Sequence, residues 1–387
     1  MRCLVLGAGV VGEAVAWDLT HVAPVADVML ADIDAARLEQ LRRRLQVTTT
    51  RLDVTTPGAV GAIAREHDVV VGALPSRFGY GALRSLCEAG ARVCDVSFMP
   101  EDATALDTVA RRSGAVVVHD CGVAPGLSHV LAGDAVARLT RVDAVRIDVG
   151  GLPETPTPPF FYKAPFAAFD VLEEYTRPVR LVRNGVVTIA EPLSGLEALD
   201  IDGAGRLDSF LTDGLRSLVQ TITAESMEER TLRQPGHLPL MVAMRDAGFF
   251  DTAPRDIGGR RITPRDVTAA LLFPHWTYAD GERDVTVLRV EVAGVDAGGS
   301  RVRCEWLLVD RPAPETTGAL SSMARTTAFP AAIVARWLAE GRVSVPGVHA
   351  PERLGLLGMA PALLDALDVR GVHVSWRPGP SPVHNET

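Results

Sequence analysis

Three glycines, Gly7, Gly9 and Gly12, follow the apolar run Arg2–Leu6 and precede a helical pattern, Glu13–Leu19. Strand, glycine loop and helix start in this order make a cradle for the phosphates of a dinucleotide. Gly7 permits the tight turn, Gly9 lets the backbone approach a pyrophosphate, and Gly12 lets the helix pack closely on the strand. Val10 and Val11 open the helix, whose free N–H groups and positive dipole end face the phosphates. Asp32 stands 20 residues past Gly12, at the end of the next apolar run, Asp27–Ala31. A carboxylate there accepts both ribose hydroxyls and repels a 2′-phosphate. The pattern predicts NAD, with NADP disfavoured. Arg37, close by in sequence, is the residue that would argue for NADP.

Further candidates lie at later strand ends, where such folds bind their cofactor. Asp53 is either an adenine neighbour or a solvated turn residue. Gly72, Leu74 and Pro75, in the segment GALPSRFG, are expected beside the cofactor. Asp95 ends a strand facing the nicotinamide end. Asp120 and Gly122 belong to DCGVAPGLSH, a strand-to-helix junction whose helix start could hold a carboxamide or a carboxylate. For Asp95 and Asp120 the plain alternative is a helix cap or turn. One further residue stands out by composition. Of 39 basic residues a single one, Lys163, is lysine. Arginine does not deprotonate near neutral pH whereas a buried lysine can, so a position requiring a titratable amine would resist the exchange.

These residues need a scaffold. From Arg2 to about residue 118, short apolar strands alternate with helical patterns, which predicts a doubly wound parallel α/β sheet, the Rossmann arrangement. From about Val142 the pattern becomes alternating strands. Asn184-Gly185 lies between two of them, a strong hairpin signal. Val285–Gly294 and Arg301–Asp310 form another pair, with the turn placed over Gly294–Ser300. This predicts a second α+β domain with a mixed, largely antiparallel sheet. The expected division is a Rossmann domain over 1–140, rejoined by a helix over about 322–345, a substrate and dimerisation domain over 141–321, and a C-terminal segment over 346–387.

Composition removes several classes. Net charge is −9 with both signs interspersed, so no basic face for nucleic acid is expected. Arg42, Arg43 and Arg44 read as a solvated helix face. No apolar stretch is long enough for a membrane helix. The five cysteines are scattered without a CxxC pair, which suggests reduced thiols, a cytoplasmic setting and no metal site.

Several segments resemble the saccharopine dehydrogenase and lysine 6-dehydrogenase family. They are LGAGVVG, the DVS of Asp95–Ser97, CGVAPGLSH, the GGLP of Gly150–Pro153, FYKAPF, EEYTRPVRLVRNG, TDGLRSL, the TLRQPGH of Thr231–His237 and TTAFPAAIVA. They run in family order over most of the chain. EEYTRP, TDGLRSL and TLRQPGH are more similar to the lysine 6-dehydrogenase branch. Gln234 departs from the family pattern, as do Ala164–Phe166 after Lys163.

The resemblance implies NAD-dependent oxidative deamination of a terminal amine, lysine or a close analogue, to a semialdehyde and ammonia. The amine must lose a proton before hydride leaves its carbon, so a base is needed. Lys163 is the expected base, through burial beside the cofactor, or else a cation for a substrate carboxylate. Asp95 and His237 are the other catalytic candidates, His237 also as a carboxylate donor. Tyr162 is a further substrate-binding candidate, and it would face away from Lys163 if this segment is a strand. Arg216 and Arg233 are expected on the substrate carboxylate; Asp213, Asp170 and Glu174 could pair with its ammonium. Alternatives are reductive amination, as in saccharopine- or carboxynorspermidine-forming relatives, and an NAD-binding regulator without catalysis. The resemblance also implies a homodimer; the Val285–Val292 face could form its interface, though packing onto the domain's own helices is the plainer reading of that face.

Overall fold

The computed structural model describes residues 1–22, 27–164, 168–311 and 320–379. Among them the chain forms two compact units, one from residues 1–134, 320 and 324–372, the other from 135–311, 321–323 and 373–379. The segment from 346 was expected to stand apart. Instead, residues through 372 join the first unit.

In the first unit β1 (Arg2–Leu6), α1 (Val10–His21), β2 (Asp27–Asp32), α2 (Ala35–Leu45), β3 (Thr48–Arg51), α3 (Ala59–Ala64), β4 (Val69–Gly72), α4 (Ser76–Glu88), β5 (Arg92–Asp95), α5 (Asp107–Ser113) and β6 (Val116–Val118) alternate before α6 (Leu127–Val136). The strands make one parallel sheet in the order 6-5-4-1-2-3, with a seventh strand, Gly347–His349, beside β6. Parallel strands covered on both faces carry continuous apolar runs. Accordingly, Cys3 to Leu6 and Val69 to Val71 are fully buried. The order reverses between β1 and β4, so β1 is the switch point at which ligands bind.

In the second unit β7 (Leu139–Pro153) is central. It pairs antiparallel with one neighbour, Asp284–Asp296, and parallel with the other, Ala224–Arg233. The other pairings in this nine-stranded sheet are antiparallel. The Asn184-Gly185 hairpin forms, with φ of 52° and 74° at its two turn residues, the left-handed values such a turn requires. The other predicted hairpin also forms, but its first strand runs past Gly294 to Asp296. Asp296 Oδ1 then accepts from Gly298 N and Ser300 N at 2.8 and 2.9 Å and closes the turn. One side of the sheet carries interlocked charges, among them Arg146, Asp148 and Arg289. The aromatic core forms around Phe210 with Tyr162, Tyr175 and Trp276 from neighbouring segments.

Candidate functional site

In the first unit β1 ends and the chain turns at Gly7, with φ of 103°. A Cβ on Gly7 would lie 2.3 Å from Ala73 O, and one on Gly12 1.9 Å from Gly7 O. Packing of the chain itself thus demands those two glycines. At Gly9 a Cβ would meet nothing within 4 Å, so the space is open on that side. Val10 beside it is exposed, and α1 begins there without a side-chain cap. The first N–H groups of such a helix have no intrahelical acceptor. Gly7, Gly9, Gly12 and the N–H groups of Val10 and Val11 therefore fit a dinucleotide pyrophosphate.

Asp32 is aimed by the backbone. Ala8 N donates to its Oδ2 at 2.6 Å and Asp34 N to its Oδ1 at 2.9 Å. Two of roughly four lone-pair positions remain for ribose hydroxyls. Arg37 donates through Nε to Ala8 O at 3.1 Å and through Nη1 to Gln40 Oε1 at 2.7 Å, and its Nη2 pairs with Glu13. Asp53, a candidate adenine neighbour, is an exposed turn residue. It accepts from Thr55 N and Oγ1 at 2.9 and 2.6 Å, bonds that hold its carboxyl below the usual range.

Around β5 the structure brings Gly72, Leu74 and Asp95 together. Asp95 is 2% exposed. Its Oδ2 fills the place of the missing Gly72 side chain, since a Cβ there would lie 1.8 Å away. Ser97 N donates to Asp95 Oδ1 at 2.8 Å; Leu74 N donates to Ser97 Oγ at 3.3 Å, and Ser97 Oγ to Asp95 Oδ2 at 3.4 Å. Burial pushes the Asp95 pKa up to about 7, against the Ser97 hydrogen bonds and with a contribution from Asp120. Asp120 lies 3.2 Å from His119 Nδ1. Pro75 caps α4 without a side-chain bond. Gly122 answers to the chain: its oxygen accepts from Leu127 N at 2.8 Å, and a Cβ on Gly126 would lie 2.1 Å from that oxygen. Ser128 N likewise donates to Val123 O at 3.0 Å. The expected carboxamide or carboxylate grip therefore lacks those two N–H groups, which the loop has already taken.

In the second unit, α7 (Ala168–Glu174), β8 (Val179–Arg183), β9 (Val186–Ala190), β10 (Glu197–Ile201), β11 (Gly205–Thr212), α8 (Leu218–Thr221), β12 (Ala224–Arg233) and α9 (His237–Asp246) carry the remaining candidates. Arg233 is 2% exposed. Its Nε donates to Tyr175 Oη at 3.0 Å, its Nη1 to Leu232 O at 2.9 Å, and its Nη2 pairs with Glu174. Tyr162 covers the guanidinium face at 4.5 Å. His237 Nδ1 donates to Phe160 O at 2.8 Å, so its Nε2 accepts from Tyr175 Oη at 2.9 Å. Burial and the Arg233 charge push the His237 pKa down to about 3, so the ring is neutral. The substrate carboxylate expected on Arg233 and the proton relay expected from His237 are both corrected. Each side chain is committed to the protein, because a buried polar group must find its partner inside.

Asp213 and Glu174 are corrected similarly as ammonium partners. Asp213 accepts from Arg180 Nε and Nη2 at 2.8 and 2.9 Å, and Glu174 holds Arg233. Arg216, expected on a carboxylate, is 7% exposed with φ of 47°. Its charge acts on buried Glu229, whose carboxyl burial pushes well above the usual range. Tyr162 and Lys163 are not in a strand; the segment before them is rich in proline and turns at Phe161, with φ of 53°. Tyr162 is buried and its hydroxyl has no hydrogen-bond partner among the described residues. Lys163 is half-buried and not isolated: Nζ donates to Thr277 O at 3.0 Å and pairs with Glu282. Secluded burial, the premise for Lys163 as base, is replaced by an ion pair.

Sequence reasoning missed Glu13, Ser97, Glu229 and Glu282. Glu13 had a readable signal, as a charge in the otherwise apolar first two turns of α1. Among the described residues no group of three His, Cys, Asp or Glu side chains could hold a metal, and no helix is long and apolar enough to cross a membrane.

The switch-point cradle makes the first unit a dinucleotide-binding domain of the Rossmann class, followed by a mixed-sheet domain. Residues 3–118 match the saccharopine dehydrogenase NADP binding domain and residues 122–372 the saccharopine dehydrogenase C-terminal domain. The chain belongs to the saccharopine dehydrogenase family, oxidoreductases acting on CH–NH groups. It is 20% identical to saccharopine dehydrogenase (NADP+, L-glutamate-forming) of Schizosaccharomyces pombe, over 84% of this chain and 87% of that one. The Saccharomyces cerevisiae enzyme of the same name is 22% identical over 90% and 93% of the two chains. Its apo structure superposes with a TM-score of 0.79 at 21% identity, covering 98% of this chain and 100% of that one. The Legionella pneumophila homospermidine synthase, in complex with NAD, gives 0.65 at 12% identity over 100% and 95%. The last two likenesses are likenesses of fold.

Proposed function

We propose that the protein oxidises the carbon bearing a terminal amine, with lysine or a close analogue as substrate and NAD as hydride acceptor. The observation that carries this reading is Asp95, a buried carboxyl at the carboxyl end of β5 with a pKa near 7. When bound, the dinucleotide supplies the hydride-accepting ring. The chain supplies the proton chemistry. An ammonium must lose a proton before hydride can leave, and a base works best with its pKa near the working pH. Asp95 meets that condition, and Ser97 steadies its ionised form. Lys163, tied to Glu282, is assigned a positioning role in the second unit.

Lysine is favoured over saccharopine by the EEYTRP, TDGLRSL and TLRQPGH segments, which resemble the lysine 6-dehydrogenase branch. The saccharopine reading has its own support in the names of the relatives above. NAD is favoured over NADP by Asp32, whose carboxylate pairs with no arginine among the described residues; Arg37 pairs with Glu13 instead. Incubation with oxidised cofactor and each amine, followed by product analysis, tests the assignment. Semialdehyde and ammonia from lysine support it, and glutamate from saccharopine alone would replace it with the second reading.

A further inference from the structure

We infer that Glu13 decides which dinucleotide the first unit accepts, by holding Arg37 against the glycine loop so that Asp32 meets the ribose 2′ oxygen with no cation beside it. This rests on the NAD reading above and adds a device that enforces it. The ends of one residue, Ala8, carry the arrangement. Its N–H donates to Asp32 Oδ2 at 2.6 Å, and its C=O accepts from Arg37 Nε at 3.1 Å. Acid and arginine are thus fastened to the same residue of one short loop, the acid by its N–H and the arginine by its C=O.

Glu13 completes the fastening. It lies in the first turn of α1 with a side chain 11% exposed, and it pairs with both Arg37 and Arg44. All three nitrogens of the Arg37 guanidinium are engaged, on Ala8 O, Gln40 Oε1 and Glu13. Two of those partners are neutral. The charged one is the strong one, since ionised partners make roughly twice as strong a hydrogen bond. A 2′-phosphate is recognised by a guanidinium free to turn two N–H groups of one fork towards it; Glu13, Gln40 and Ala8 O take three of the five N–H groups of Arg37 and fix its orientation. Arg51, in register with Asp32 on β3, is anchored by its Nε on Ile33 O at 3.2 Å.

The test is calorimetric titration of the purified full chain with NAD+, NADP+ and adenosine 2′,5′-bisphosphate, which needs no turnover. The parent should bind NAD+ more tightly than NADP+. Glu13→Gln keeps the shape and removes the charge. It should tighten NADP+ and the bisphosphate by about tenfold or more, equivalent to about 1.4 kcal/mol, with NAD+ changed less than threefold. The double variant Glu13→Gln/Arg37→Gln should lose that gain. An unchanged ratio of NADP+ to NAD+ affinity in Glu13→Gln overturns the inference and leaves the NAD reading standing, as does a gain that survives in the double variant. A parent that prefers NADP+ overturns both. Should Glu13→Gln fail to fold, Arg37→Gln alone decides. The inference requires its NADP+ affinity to match the parent, and a tenfold loss would show Arg37 already serving the phosphate.

Discussion

The hydroxyl of Tyr175 lies 3.0 Å from Nε of Arg233 and accepts a hydrogen bond from it. That one contact joins two segments, EEYTRP and TLRQPGH, which in sequence looked like separate pieces of a substrate site. Glu174, Tyr175, Arg233 and His237 instead form one buried chain of hydrogen bonds ending at Phe160 O. The expected effect of breaking it is on stability. Tyr175→Phe leaves Arg233 Nε and His237 Nε2 without a partner, at a cost of about 1–3 kcal/mol for a buried unsatisfied group. Arg233→Met strands Glu174 and should cost about 3–5 kcal/mol. Urea midpoints measure both. Stable variants with a raised KM would instead return Arg233 to the substrate.

Asp95 should set the pH dependence of the reaction. Oxidation should rise with pH through about 7 as the carboxyl ionises, and Asp95→Asn should lose at least about 100-fold in kcat, the lower range for a general base. Its folded pKa lies above the ordinary 3.8, so the folded state binds more protons between about pH 4 and 7. The associated stabilisation is present below about pH 4 and is lost as pH rises to about 7. Asp95→Asn should flatten that decline in Tm. Gly72→Ala should reproduce the loss of activity, because its methyl would occupy the site of Asp95 Oδ2. Undiminished turnover in Asp95→Asn would remove it as the base.

His237 predicts a slope of the opposite sign. Its folded pKa of about 3 lies below the ordinary 6.5, so the unfolded chain binds the extra proton in that window. Stability contributed by the neutral ring is full above about pH 6.5 and falls on acidification towards about pH 3. His237→Gln should be less stable at neutral pH and show a shallower acid decline in Tm. A ring that titrates near 6.5 in the folded protein, followed by NMR, would contradict the network.

Lys163 distinguishes a base from a positioning residue. Lys163→Arg keeps a cation against Glu282 and Thr277 O, and should keep kcat within about fivefold and the shape of the pH profile. Lys163→Met removes the ion pair and should raise KM more than it lowers kcat, the pattern of lost uniform binding. A collapse of kcat in Lys163→Arg would restore the lysine as the proton acceptor.

The first unit was largely legible in the sequence, because each of its signals is local. Gly7, Gly12 and Asp32 are constrained by neighbours within one strand–loop–helix turn, and buried parallel strands advertise themselves as apolar runs. The second unit was legible in architecture at Asn184-Gly185 and in the β-alternation, but its polar residues were not. Nothing local says that Arg233 will meet Tyr175, 58 residues earlier, or that Lys163 will meet Glu282, 119 residues later. A buried arginine and a ligand-binding arginine look alike until their partners are known. The same holds for Gly122, whose smallness serves the chain's own turn at Pro125 and Gly126.

The central claim is that this chain oxidises an amine-bearing carbon with a 2′-hydroxyl dinucleotide. It is tested most directly by mixing the purified protein with NAD+ and lysine, and following reduced-cofactor absorbance and ammonia together. The account predicts that both appear in equal amounts, faster with NAD+ than with NADP+, and with a rate that rises through about pH 7. Cofactor reduction with saccharopine but not lysine, or no reduction with any amine, would contradict it.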